Sequence, residues 1–321
     1  MFYLLGVLIM TSKTFFQTMS DGTEICVNRW IPDAEPKAII IISHGMSEHS
    51  MRYDKLASFL VDEGFLVSAH DHRGHGKTAQ KQLENGSVGF GYLADKKGFE
   101  KVRDDIKSIA LQLKTEFPDK KVFLLGHSFG SMVSQGFIEK YSSEIDGCIL
   151  SGSRGPQRLL IKSALFVSDI LYLLGQKKKT SKFLDHLAFG SYNKKIENKR
   201  TEFDWLTKDN MIVDMYNADQ WCGFTMKTEF FHELFRMLNI IHKKANMKKI
   251  SNDLPVYIIA GTDDPVSNYG KTVQKLYEIY KSNGIKDLEI KLYENDRHEL
   301  FNETDCEVVI KDTITWLLKH L

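Results

Sequence analysis

Apolar positions in this chain follow two rhythms. Short unbroken runs recur at 38–43 (Ala-Ile-Ile-Ile-Ile-Ser), 65–70, 122–126, 148–151 and 255–261. Runs of this length, closed off by glycine, proline or charge, predict strands buried on both faces. Residues 24–31 predict another strand, and Leu288, Ile290 and Leu292 alternate with polar residues as a half-buried strand does. The second rhythm is helical. Val102, Ile106, Ile109, Leu113 and Phe117 recur at spacings of three and four, predicting a helix over 98–117. Further helices are expected from 129 to about 141, over 270–282, and at the C-terminus with Val309, Trp316 and Leu317 facing inward. Strands alternating with helices predict a mostly parallel sheet covered on both faces.

Between about 155 and 245 the alternation stops. This stretch has no strand-like run, is rich in lysine and aromatics, and reads as helices and loops inserted into the repeating pattern. Within it, 159–174 is apolar around most of its circumference, although Lys162 and Asp169 interrupt it and it is short for a membrane span. Lys177, Lys178 and Lys179 follow. Two readings stand side by side: a helix packed on the core with a solvated basic end, or a face lining an acyl pocket or touching a lipid surface.

Composition narrows the class. Lys and Arg number 43 against 42 Asp and Glu, so no net field recruits nucleic acid or an anionic membrane. Hydrophobic content of 42% is that of a globular protein. Cys26, Cys148, Cys222 and Cys306 are too scattered for a disulfide framework or a zinc site, which fits a reducing compartment and a cytoplasmic location. The apolar run Met1 to Met10 lacks the basic region and cleavage site of a secretory signal. It reads as a stretch preceding a start at Met10, with a weak membrane-associating tip as the alternative.

The richest chemistry lies at 122–130, Val-Phe-Leu-Leu-Gly-His-Ser-Phe-Gly. A buried strand, then Gly126-His127-Ser128-Phe129-Gly130, then a helix is the context in which G-x-S-x-G acts as a nucleophile elbow. A serine needs a base and a group that orients the base. Later loops supply both: Gly261-Thr262-Asp263-Asp264-Pro265 follows one strand, and Asn295-Asp296-Arg297-His298-Glu299 follows the next. His298 is the expected base, and Asp263 and Asp264 compete for the orienting role. An oxyanion hole needs backbone N–H donors, expected from Phe129 and from Met46 in the Ser43-His44-Gly45-Met46 loop. His44, His49, His70, His72 and His75 beside Asp71 invite a metal, but their spacing matches no zinc pattern. The stretch 70–76 is read as a strand end and glycine-rich loop beside the pocket, and no metal or cofactor is expected.

Taken together, these residues resemble the α/β-hydrolase superfamily, within it the monoacylglycerol lipase and lysophospholipase group, which is serine aminopeptidase-like. The resemblance rests on Ser43 to His49 with Arg52-Tyr53, on His70 to Gly76, on Gly126 to Gly130, on Gly261 to Val266, and on Arg297-His298-Glu299. In the stretch 203–224, Asp204-Trp205-Leu206 and Trp221-Cys222-Gly223-Phe224 are similar to bacterial members. It implies an α/β-hydrolase fold with a mostly parallel sheet of about eight strands, core segments at 1–154 and 246–321, and a helical cap at 155–245. It implies Asp264 as the acid, three residues after the glycine of the turn, and a metal-independent acyl-enzyme mechanism. The apolar N-terminus departs from the family pattern. The expected substrate is a small monoacyl lipid ester, with no nucleic acid, no obligate protein partner, and transient membrane contact through the cap. Rival readings are a short-chain carboxylesterase or thioesterase, an aminopeptidase using Asp204, Asp209, Asp214 or Asp219 to hold an amine, and a non-catalytic binding protein.

Overall fold

The computed structural model describes residues 11–321; the expectation for Met1–Met10 lies outside them. The described residues open with an antiparallel hairpin, β1 (Thr11–Thr18) and β2 (Glu24–Ile31). It continues through β3 (Ala38–Ser43), α1 (Asp54–Asp62), β4 (Phe65–His70), α2 (Gly76–Glu84) and α3 (Gly98–Glu116). β5 (Val122–His127), α4 (Phe129–Tyr141) and β6 (Gly147–Ser151) follow. Four helices come next, α5 (Arg158–Leu171), α6 (Lys182–Phe189), α7 (Asn210–Ala218) and α8 (Thr228–Ile241), with the short α9 (Lys244–Met247). Then β7 (Val256–Gly261), α10 (Lys271–Ser282), β8 (Leu288–Tyr293) and α11 (Cys306–Lys319) complete the fold.

The eight strands form one sheet in the order β1-β2-β4-β3-β5-β6-β7-β8, parallel from β4 onward. The isoleucine run of β3 is explained by this position. Ile39 and Ile41 enter the core under α3 and α4, while Ile40 and Ile42 enter the core under α1 and α11. β8 is an edge strand, half-buried as its alternation predicts. Because β3 is flanked by β4 and β5, consecutive connections part at its C-terminal end, and such a switch point opens a crevice.

The sequence pattern predicts none of β1, α1 and α2. β1 lies at the exposed sheet edge, and α2 begins at Gly76, directly from the loop that the glycines mark. Between β6 and β7 no strand joins the sheet; Thr180 and Lys227 form one isolated bridge. Arg158–Gln176, α5 with the π-helical turn after it, is long and apolar enough by length and composition to cross a membrane. Here Ile161, Ala164 and Ser168 are buried while Leu159 and Leu173 are each 84% exposed. The helix has one packed face and one bare apolar face.

Candidate active site

The elbow is built by steric exclusion. Ser128 takes φ 52° and ψ −117°, a left-handed conformation that L-residues adopt only where the surroundings enforce it. A Cβ on Gly130 would lie 2.0 Å from the Ser43 carbonyl oxygen, and one on Gly126 would lie 2.6 Å from the Gly130 oxygen. Only glycine lets the turn fold back against β3. Ser128 N–H donates to Ser151 O at 3.0 Å, tying the elbow to the end of β6.

His298 and Asp264 meet at the same rim. His298 Nδ1 lies 3.0 Å from Asp264 Oδ1, and Asp264 also accepts the Val266 N–H at 2.8 Å. The carboxylate therefore accepts a hydrogen bond from Nδ1–H, which fixes the tautomer and leaves Nε2 free to act as a base. His298 Nε2 is buried and has no partner among the described residues. Ser128, His298, Met46 and Phe129 line one cavity of about 320 Å³, whose walls include Met132, Phe189, Trp205, Leu234 and Phe235. Asp263 is exposed and donates its N–H to Asp296 O at 2.9 Å; of the two competing aspartates, only Asp264 reaches the imidazole.

Neither the Met46 nor the Phe129 amide hydrogen is taken by an acceptor among the described residues. His44 explains how Met46 is aimed. Its Nε2 accepts the His72 N–H at 2.9 Å, so Nδ1 carries the proton and donates to Gly45 O at 2.7 Å. The C=O and N–H bonds of a trans peptide point in opposite directions, so fixing the Gly45 carbonyl turns the Met46 N–H the other way. The histidine stretch is thus the backing of this loop. The His44 and His72 rings pack tilted at 42° with centroids 4.2 Å apart, and burial pushes His70 down to about 3 and His75 to about 4, so the latter two rings are neutral.

A charged network joins the two loops. Glu48 Oε1 accepts from Gly45 N and from the Tyr53 hydroxyl, while Arg52 donates to Glu48 at 2.6 Å and to both oxygens of Glu299 at 2.6 and 2.7 Å. Burial pushes the Glu48 carboxyl up. Burial acts the same way on Glu299, but the Arg52 guanidinium outweighs it and holds that carboxyl below its ordinary range. The segment that follows α6 grips both loops. Leu206 O accepts from Glu299 N at 2.7 Å, and Arg297 Nη1 donates to Asp204 O and Thr207 O at 2.7 and 3.0 Å. Ser47 O accepts from the Tyr216 hydroxyl and from Gly223 N.

Residues 34–305 match the family described as serine aminopeptidase, S33. The chain belongs to that family. It is 25% identical over 303 residues to a monoacylglycerol lipase of Mycolicibacterium smegmatis, covering 94% of this chain and 95% of the relative. It is 27% identical over 285 residues to the monoglyceride lipase of Homo sapiens, covering 88% and 82%. A thermostable carboxyl esterase from Bacillus coagulans, solved with glycerol, superposes with a TM-score of 0.88 at 27% identity over 97% and 99% of the chains. A soluble variant of the Saccharomyces cerevisiae monoglyceride lipase superposes at 0.77 with 20% identity over 98% and 97%, a likeness of the α/β-hydrolase fold.

The peptidase in the S33 family's description makes four acids of interest, and none lines the cavity. Asp204 is taken by Arg200 N and Thr201, Asp209 caps α7, Asp214 pairs with Arg200, and Asp219 binds His49 at 2.8 Å. Glu48, Arg52, Trp205 and Glu299 belong to the motifs that carry the family resemblance, but the sequence alone assigns them no role. Their contacts bridge loops far apart in the chain, and only the pairing of short motifs hinted at it.

Proposed function

We propose that this S33-family member is a serine carboxylic-ester hydrolase of monoacyl lipids, working through Ser128, His298 and Asp264. The observation that carries the reading is His298, held by Asp264 at one nitrogen while the other is buried and unpartnered on the wall of the cavity that Ser128 lines. Ser128 Oγ attacks the ester carbonyl and His298 Nε2 takes its proton. The Met46 and Phe129 amides hold the oxyanion. The imidazolium, stabilised by Asp264, protonates the leaving alcohol and the acyl-enzyme forms. Water, deprotonated by the same nitrogen, then releases the fatty acid.

Two relatives are named as monoacylglycerol or monoglyceride lipases and a structural relative is named a carboxyl esterase, which supports an ester substrate with one acyl chain. The largely apolar cavity suits that chain. Residues 155–245 act as the cap over the site. The bare face of α5 with Leu173, Leu174 and exposed Lys178 and Lys179 supports transient contact with a lipid surface, apolar side chains inward and ammonium groups at the headgroups.

The test compares a lysophospholipid, a monoglyceride and p-nitrophenyl butyrate with one preparation. Faster turnover of the long monoacyl esters is expected. Peak activity at acetate or butyrate would instead assign a short-chain esterase. A fluorophosphonate should label Ser128, and Ser128→Ala should lower turnover about 10⁴-fold or more.

A further inference from the structure

Arg154 has no task in that reaction, yet the fold builds it into the site. It leaves β6 two residues after Gly152, where a Cβ would lie 2.9 Å from the His298 ring. Its main chain is pinned: Arg154 O accepts from Gln135 Nε2 at 2.9 Å and from His242 Nε2 at 3.2 Å. Its guanidinium donates Nε–H to Gln157 Oε1 at 2.9 Å and lies beside the buried Tyr192. No carboxylate among the described residues pairs with it, whereas Arg29, Arg52, Arg73 and Arg236 each close on an acid.

The second observation is a side cavity of about 130 Å³ between α5 and α6. Leu160, Ile161, Ala164 and Val167 form its apolar wall, and Arg154, Ala188 and Phe235 line both this cavity and the catalytic one. Arg154 therefore stands at the partition. Leu160 and Leu187, which also line the side cavity, are about half exposed, so it reaches the bare apolar face of the helices.

A half-buried cation without an acid partner, at the mouth of an apolar chamber, fits a ligand that joins an anionic head to a hydrocarbon tail. We propose that Arg154 and the side cavity bind a free fatty-acid carboxylate, the product that the catalytic chamber releases; this rests on the ester-hydrolase reading above. The head pairs with the guanidinium and the tail lies along α5, on the way to the apolar surface. Asp185 lines the catalytic cavity together with Arg154 but forms no ion pair with it, and burial pushes its carboxyl up.

The test uses p-nitrophenyl butyrate as reporter, so that it does not depend on lipid being the substrate. Dodecanoate, below its micelle-forming concentration, should inhibit at least about tenfold more strongly than dodecanol. Arg154→Gln should shrink that ratio to within about threefold. Val167→Phe, which fills only the side cavity, should weaken dodecanoate inhibition while leaving butyrate turnover within about twofold. Unchanged dodecanoate inhibition in both variants overturns the proposal, because the oxyanion hole alone would then hold the carboxylate. So does an Arg154→Gln variant that loses only turnover of a lysophosphatidate relative to the matched monoglyceride, since the anion would then be the substrate's phosphate. Failure of the wild type on both long lipids, with the inhibition pattern intact, would overturn the lipid substrate instead and leave this site standing.

Discussion

In the proposed reaction His44 never touches the reacting atoms, yet through a single bond to Gly45 O it sets where the Met46 amide, the proposed oxyanion donor, points. His44→Leu frees that carbonyl. Its expected effect is a fall in kcat of about 10²-fold with KM little changed, the signature of a donor lost from the transition state. Steady-state kinetics on a soluble ester, at a temperature where circular dichroism still reports a folded chain, checks this. Glu139 on α4 is a different case, a buried acid with one oxygen unpartnered among the described residues and a carboxyl that burial pushes up to about 9. Raised above its unfolded value, it contributes stability that is complete in acid and is lost as pH rises toward and through about 9. Glu139→Gln should therefore raise the melting temperature by several degrees at pH 8.5 and change it little at pH 4.5. Equal shifts at both values in a thermal melt would contradict that account.

Among the elements, the junction of β5 and α4 depends most on one residue type. Gly130→Ala drives a methyl into the Ser43 and His44 carbonyl oxygens, so the elbow and the Met46 loop cannot both keep their places. Activity should fall by at least about 10²-fold, together with a stability loss of about 1–3 kcal/mol measurable by urea unfolding. This region was legible in the sequence because strict local rules converge there: a buried strand, two obligatory glycines and a helix. The inner strands were legible for the same reason. β1 was not, because an exposed edge strand such as Thr-Ser-Lys-Thr-Phe-Phe-Gln-Thr carries no buried run to mark it. Asp263 and Asp264 could not be separated by the residues alone, since the direction of each side chain is set by a turn that closes against the His298 loop. The Glu48–Arg52–Glu299 bridge was hidden by sequence distance, as 247 residues separate Arg52 from Glu299.

At the scale of the whole molecule, the uneven distribution of apolar surface is the main feature. Leu159, Phe166, Leu173, Leu174 and Phe183 are all more than 60% exposed and lie on α5, the turn after it, and α6. A face of this kind in water implies a partner surface. Leu159→Glu with Phe166→Glu should reduce sedimentation with phospholipid vesicles by about tenfold or more, since each side chain contributes roughly 1.5–3 kcal/mol when buried. Hydrolysis of p-nitrophenyl butyrate should stay within about twofold of wild type. Vesicle binding that survives both changes would remove this face from the account.

The bonds from Asp204, Leu206 and Thr207 to the His298 loop, and from Tyr216 and Gly223 to Ser47, have a mechanical consequence. If residues 155–245 roof the chamber as proposed, that roof is riveted along one side to the two loops that the proposed reaction needs to hold still. Lifting it as a rigid plate would drag the imidazole and the Met46 amide out of alignment, so admission has to come from a tilt of the front rafters, α5 and α6, while the riveted side stays down.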